Sequence, residues 1–256
     1  MWAQNYGEDY TYNNDGSLDT VATASGANLK YNYDHLRRVS SITSDLWGTM
    51  PFYTKTYTYR DISSTQTTTQ VSNVSYSNVV DPISFGYTYD AVGNVATHSQ
   101  TGKSTITYTY DSLGQLLKAA GGTTYTYTYD NVGNILTASN GTTTHTYTYG
   151  NSDWKDLLTK FDGVTITYDN SGNPLSYYNG TSWNFTWTSG RQLASATGGG
   201  NTAYYYYNQT GSRNCKTVNG VTHHYTWLDN TLIRELYDST ILDFSYDANG
   251  QPYAMY

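Results

Sequence analysis

The stretch Tyr125-Thr126-Tyr127-Thr128-Tyr129-Asp130-Asn131-Val132-Gly133-Asn134-Ile135-Leu136-Thr137-Ala138-Ser139-Asn140-Gly141, running on through His145 to Thr148, decides the fold. From Tyr125 to Tyr129 every second residue is aromatic and every intervening one is Thr. A period of two sends the rings to one face of a strand and the hydroxyls to the other, and both residue types favour strands. The run stops at Asp130-Asn131-Val132-Gly133, where an Asp side chain can bond the backbone two residues on and Gly accepts positive φ. A short apolar run, Ile135–Ala138, then ends at Asn140-Gly141, a strong hairpin signal. The unit is strand, turn, strand, turn.

Working outward, the residue preceding each such turn, or its nearest equivalent, is Tyr89, Tyr110, Tyr129, Tyr149, Tyr168, Trp187, Tyr207, Trp227 and Tyr246. The spacing stays between 19 and 21 residues for eight steps, the signature of a repeat architecture. The full Tyr-Asp-x-x-Gly form occurs at Tyr89-Asp90-Gly93, Tyr110-Asp111-Gly114, Tyr129-Asp130-Gly133, Tyr168-Asp169-Gly172 and Tyr246-Asp247-Gly250. Tyr207-Asn208 keeps its Gly211, Trp187 reaches Gly190 one residue early, and Tyr149-Gly150 and Trp227-Leu228 lose the pattern.

On these motifs the chain resembles the YD-repeat, or RHS-repeat, family, whose bacterial members form toxin-encapsulating shells and whose animal relatives include the teneurins. The resemblance is strong from Tyr87 onward and looser before it. It implies a long antiparallel sheet wound into a spiral, hollow shell or tube. The residues themselves predict an all-β repeat of roughly 20-residue hairpins, and connections of a few residues require antiparallel neighbours. About two dozen strands exceed what an open sheet carries without curling.

Residues 1–88 form an irregular N-terminal part and residues 89–256 a regular one, continuous as one repeat domain. In the first part the pattern recurs at Tyr10-Thr11-Tyr12, Tyr31-Asn32-Tyr33-Asp34 with Arg37 in place of the turn Gly, and Tyr57-Thr58-Tyr59. Its wider spacing predicts longer turns or inserted loops. Within Trp154-Lys155-Asp156-Leu157-Leu158 the period is helix-like or irregular, which predicts a small excursion capping the sheet.

Composition narrows the functional classes. Charged residues make up 13%, the net charge is −7, and no basic cluster exists to neutralise a phosphate backbone, so nucleic acid is not an expected partner. Thirty tyrosines supply the buried area that a disordered tract lacks. No stretch reaches the run of about 18 apolar residues needed for a membrane span, and Met1–Tyr6 has no apolar signal core. Cys215 is the single cysteine, which excludes an internal disulfide. The family and the Thr, Asn and Gly content point to an extracellular or cell-surface setting.

No catalytic constellation stands out. The turn aspartates recur in copy after copy, whereas an active site is needed once. Glu8 and Glu235 are the only glutamates, His35, His98 and His145 are scattered, and His223-His224 point to opposite faces of a strand, so neither a metal nor another cofactor is expected. Cys215 lacks a nucleophile signature. Trp183, Trp187 and Trp227 are candidates for stacking on glycans, against the reading in which Trp187 and Trp227 occupy the repeat's Tyr position.

The leading expectation is a non-enzymatic shell or scaffold. In the bacterial family the shell continues into a plug and a variable toxin domain. This sequence ends at Tyr253-Ala254-Met255-Tyr256, just after a repeat turn. The resemblance implies as partner, where the chain is part of a longer one, that chain's own C-terminal effector or toxin segment. Two alternatives follow from the same residues: end-to-end assembly of unpaired sheet edges into a β-rich filament or tube, and a carbohydrate-binding adhesin.

Overall fold

A computed structural model describes residues 8–23, 26–46, 50–246 and 250–255. Among them there are strands and turns and no helix. The chain divides into two compact units, Met1–Thr126 and Tyr127–Tyr256.

The first unit contains β1 (Glu8–Tyr12), β2 (Leu18–Thr23), β3 (Ala27–Tyr33), β4 (Val39–Leu46), β5 (Met50–Ser63) and β6 (Gln66–Ser77). It continues with β7 (Ile83–Tyr89), β8 (Val95–Gln100), β9 (Ile106–Tyr110), β10 (Leu116–Ala120) and the start of β11 (Thr124–Tyr129). Each strand pairs antiparallel with the next, in sequence order. The wide spacing between Tyr33 and Tyr89 is not spent on loops as the sequence suggested. It lengthens β5 to 14 residues and β6 to 12, because alternation persists from Tyr53 to Tyr59 and the β-branched run of β6 extends the ladder.

The second unit begins within β11 and continues in the same order through β12 (Ile135–Ser139), β13 (Thr144–Thr148), β14 (Lys160–Phe161) and β15 (Val164–Thr165). A separate sheet follows: β16 (Ser176–Tyr178), β17 (Ser182–Thr188), β18 (Gln192–Gly198), β19 (Asn201–Tyr207) and β20 (Arg213–Val218). It is completed by β21 (Val221–Leu228), β22 (Thr231–Tyr237), β23 (Thr240–Tyr246) and β24 (Pro252–Met255). The change of sheet falls at the two-residue strands β14 and β15, where Phe161 is buried against His145, Tyr147 and Tyr177, with ring centroids 5.2 to 5.7 Å apart. Residues 152–157 beside them form turns, and a Cβ placed on Gly172 would fall 2.3 Å from the Trp154 ring, so that ring lies against the Gly172 turn.

Alternation along the strands produces two unlike faces. In β17, Trp183, Phe185 and Trp187 are half-buried while Ser182, Asn184, Thr186 and Thr188 are exposed. The core is thin. Among the described residues the buried apolar side chains are Val21, Leu29, Tyr31, Phe161, Ile166 and Ala196.

Candidate functional surface

Three contacts recur along the chain, and together they define what the surface can do. The first is the turn. In the Asp130 turn the carboxylate Oδ1 accepts the N–H groups of Val132 and Asn134, both at 2.9 Å, and Oδ2 accepts the Asn134 amide at 2.9 Å. Backbone bonds from Asp130 to the Asn134 carbonyl and from Gly133 to the Asp130 carbonyl close the loop. Gly133 has φ 95°, a conformation open to glycine and strained for most other residues. The same bonds form at Asp90 with Asn94 and at Asp169 with Asn173. Asp111 takes the N–H groups of Leu113 and Gln115.

Desolvation opposes ionisation of Asp90 and Asp130. The Asn amide and backbone N–H groups outweigh it and hold both carboxyls below their ordinary value. At Asp169 the Asn173 amide is the leading cause of the same lowering. A carboxylate held by three donors of its own loop is a structural anion, stabilised in its charged form and tied to the turn. Where Gly is missing, Arg37 takes φ 63° and Arg38 supplies the returning bond, its Nε donating to Asp34 at 2.7 Å. Asp247 lies outside the described residues, while Gly250 has φ 75°.

The second contact joins neighbouring hairpins. The hydroxyl of Tyr110 donates to the Val95 carbonyl at 2.9 Å, Tyr168 to Leu158 at 2.5 Å, Tyr207 to Leu193 at 3.0 Å and Tyr246 to Leu232 at 2.6 Å. Tyr33, Tyr59 and Tyr89 do the same with Leu18, Val39 and Val71. Tyr149, which had lost the turn motif, keeps this bond to Ile135 at 3.1 Å. Burial pushes the phenols of Tyr110, Tyr149 and Tyr168 up, so each stays a donor at neutral pH. In most of these hairpins the register slips by one residue at the repeat aromatic, as between Thr88 and Tyr89. Such bulges increase strand twist.

The third contact lies on the opposite face. Thr11–Thr20, Thr88–Thr97, Thr128–Thr137, Thr167–Ser176 and Thr186–Ser195 join hydroxyls nine residues apart at 2.6 to 2.8 Å. Each is the residue before a repeat aromatic and its cross-strand neighbour.

The three candidate tryptophans divide between these roles. Trp187 donates its indole N–H to the Pro174 carbonyl at 2.7 Å and Trp227 to that of Arg213 at 2.9 Å, the geometry of the repeat tyrosines. The Trp183 ring covers Gly198, whose Cβ would meet it at 2.7 Å. Trp183 and Trp187 share a face of β17, but three strands separate them from Trp227 on β21, so the structure does not gather the three into one platform.

The polar clusters that sequence reading missed are cross-strand. His223 Nδ1 lies 2.7 Å from Glu235 Oε1, which also accepts the Tyr225 hydroxyl at 3.1 Å, with Lys216 Nζ at 3.8 Å. Arg234 clasps the buried Asp243 through Nε at 2.6 Å and a second nitrogen at 3.0 Å. The signal was available only as charge complementarity at register-matched positions, which needs the pairing to be known. Among the described residues no group of three or more His, Cys, Asp or Glu is arranged to hold a metal ion, and no helix is long and apolar enough to cross a membrane.

Fold and surface together define a hairpin-repeat scaffold, built to hold a sheet in shape by contacts that recur from unit to unit. The chain belongs to the teneurin YD-shell family, whose profile matches residues 79–255. Among solved structures, one of the Photorhabdus luminescens Tc holotoxin pore is 19% identical with a TM-score of 0.60, over 95% of this chain and 15% of that one. The TcdB2-TccC3-Cdc42 crystal structure is likewise 19% identical, with a TM-score of 0.54, over 93% of this chain and 15% of that one. At that identity the likeness is one of fold. This chain spans about 15% of the length of those solved chains. No curated protein sequence matches it significantly.

Proposed function

We propose that this chain is a stretch of wall in a YD-repeat shell, a non-enzymatic scaffold in a secreted or cell-surface bacterial protein that surrounds or displays an effector segment of the same longer polypeptide. The irregular part, 1–88, and the regular part, 89–256, act as one continuous repeat domain. The observation that carries this reading is the aromatic-to-carbonyl bond repeated from hairpin to hairpin, as from Tyr110 to Val95 and from Trp187 to Pro174. It fixes each unit to the one before it without using any group as a reactant. The bulge that accompanies it in most of the hairpins adds twist, and a twisted sheet of many strands curls. The turn carboxylates, engaged by N–H donors of their own loops, support a structural role for the residues that would otherwise be the first candidates for acid–base chemistry.

Cryo-electron microscopy of the purified chain tests the reading. Curved walls around a hollow interior are the expected result. Flat sheets or solid particles would overturn it.

A further inference from the structure

In one part of the second unit the hydroxyl face carries rings and aliphatic side chains in place of paired hydroxyls. At the repeat aromatic Tyr207, the two positions nine residues apart that hold Thr or Ser in five other hairpins are Tyr206 and Cys215. The register carries this row across the following strands: Cys215 faces His224, His224 faces Leu236, and Leu236 faces Ile241. Tyr204 stands two residues before Tyr206, on the same face, opposite Ser195 and Thr217. Tyr204 is 48% exposed, Tyr206 54%, Leu236 38% and Ile241 50%, and His224 is exposed as well. The Tyr207 hydroxyl reaches the Leu193 carbonyl, whereas among the described residues those of Tyr204 and Tyr206 have no hydrogen-bond partner.

We propose that this row is a platform for a neutral polysaccharide chain, with Tyr204 and Tyr206 as the stacking rings and His224 beside them. The fold does not require rings here, because Thr and Tyr are both good strand formers and a half-exposed ring on this face fills no core. A contiguous exposed apolar row marks an interaction site in a way that single exposed side chains do not. With about half of each side chain open, the row offers on the order of 500 Å², short of the about 800 Å² that each partner of a stable protein pair covers. It spans about 19 Å from Tyr206 to Ile241 at the usual strand spacing, room for a chain of several sugar rings laid across the strands. Charge points the same way. Apart from His224, the charged residues on this face of β19 to β23 are Arg234 and Asp243, which hold each other at 2.6 Å, so an ionic ligand meets no open counter-charge. Sugar rings have C–H faces that pack on aromatic rings, and their hydroxyls need partners at the rim. Thr217 and Thr222, joined at 3.0 Å, and the exposed Thr226 flank the row, and a hydroxyl that donates once can still accept. The platform stands apart from Trp187 and Trp227, which the repeat ties down, and it does not depend on the shell reading.

The test is isothermal titration calorimetry of the full chain with cellohexaose, maltohexaose and N-acetylchitohexaose, and with hexagalacturonate as the acidic counterpart. At least one neutral chain should bind, the acidic one should not, and raising salt from about 50 to about 300 mM should leave the affinity unchanged. Y204T/Y206T, which restores the residue usual on this face and keeps strand propensity, should lose about tenfold or more in affinity with its melting temperature held. Y204F/Y206F keeps the rings and should keep most of the affinity. Y125T, at an exposed tyrosine of the first unit, should bind as the parent does. Binding of none of the three neutral chains, equal binding of hexagalacturonate, or an equal loss in Y125T would overturn the proposal. So would light scattering that showed a dimer abolished by Y204T/Y206T and unaffected by sugar, which would assign the row to a second copy.

Discussion

The hydroxyl of Tyr110 reaches back across the sheet to the carbonyl of Val95, 2.9 Å away and 15 residues earlier in the chain. The bond ties the end of β9, where one Asp-x-x-Gly turn begins, to the start of β8, just past the turn before it. Replacing Tyr110 by Phe keeps the ring and removes the donor, which should cost about 1 kcal/mol. Replacing it by Ala should cost about 2–3 kcal/mol, because half-buried ring area is lost as well. Amide exchange should locate both losses in β8 and β9, with the second unit's strands β17 to β23 keeping their protection, as nearest-neighbour coupling requires.

Acid should loosen the turns. The folded state lowers the carboxyls of Asp90, Asp130 and Asp169, so their contribution is complete above the unfolded carboxylate value and is lost as pH falls through the folded one. The melting temperature should be nearly level between about pH 5 and pH 7 and fall below about pH 4. A D90N/D130N/D169N variant should melt lower at neutral pH and lose less on acidification.

Gly172 has φ 80° and the Trp154 ring against it, whereas Gly114 has φ 78° and open space. Ala at position 114 meets backbone strain alone and should cost about 1 kcal/mol. Ala at position 172 must also displace the indole, and should cost a further 1–2 kcal/mol, about what overpacking usually costs. A shift in tryptophan emission should accompany the second change and not the first.

Removing Arg234 leaves Asp243, 7% exposed, without its two-pronged partner. R234M should destabilise by about 2–3 kcal/mol. Adding D243L should restore part of that, giving a coupling energy measurable by a double-mutant cycle in urea.

Much of this fold is written locally. Tyr and Thr alternation specifies strands and their faces, and Asp with Gly three residues later specifies the turn, since both act within a few residues. The Asn that returns a bond to the turn carboxylate is also local, yet it is not distinctive, because Asn is common in turns of every kind. The staple was hidden for a different reason: its acceptor is a main-chain carbonyl, and the Leu, Val or Ile that usually carries it reads as an ordinary strand residue. Tyr149 shows this, since its turn motif is gone and its bond to Ile135 remains. The lengthening of β5 and β6 was missed because a wider spacing between motifs does not say whether ladder or loop fills it. Pairs such as His223 with Glu235 depend on register and could be seen only once the strands were aligned.

The carbonyls that receive the staple belong mostly to Leu, Val or Ile, yet Pro174 and Arg213 serve equally well, because the accepting group is the main chain and not the side chain. Hairpins joined this way are interchangeable parts. A copy inserted by duplication, or exchanged by recombination, finds a waiting acceptor whatever its predecessor's sequence, so the assembly can be lengthened, shortened or patched without redesigning the joint.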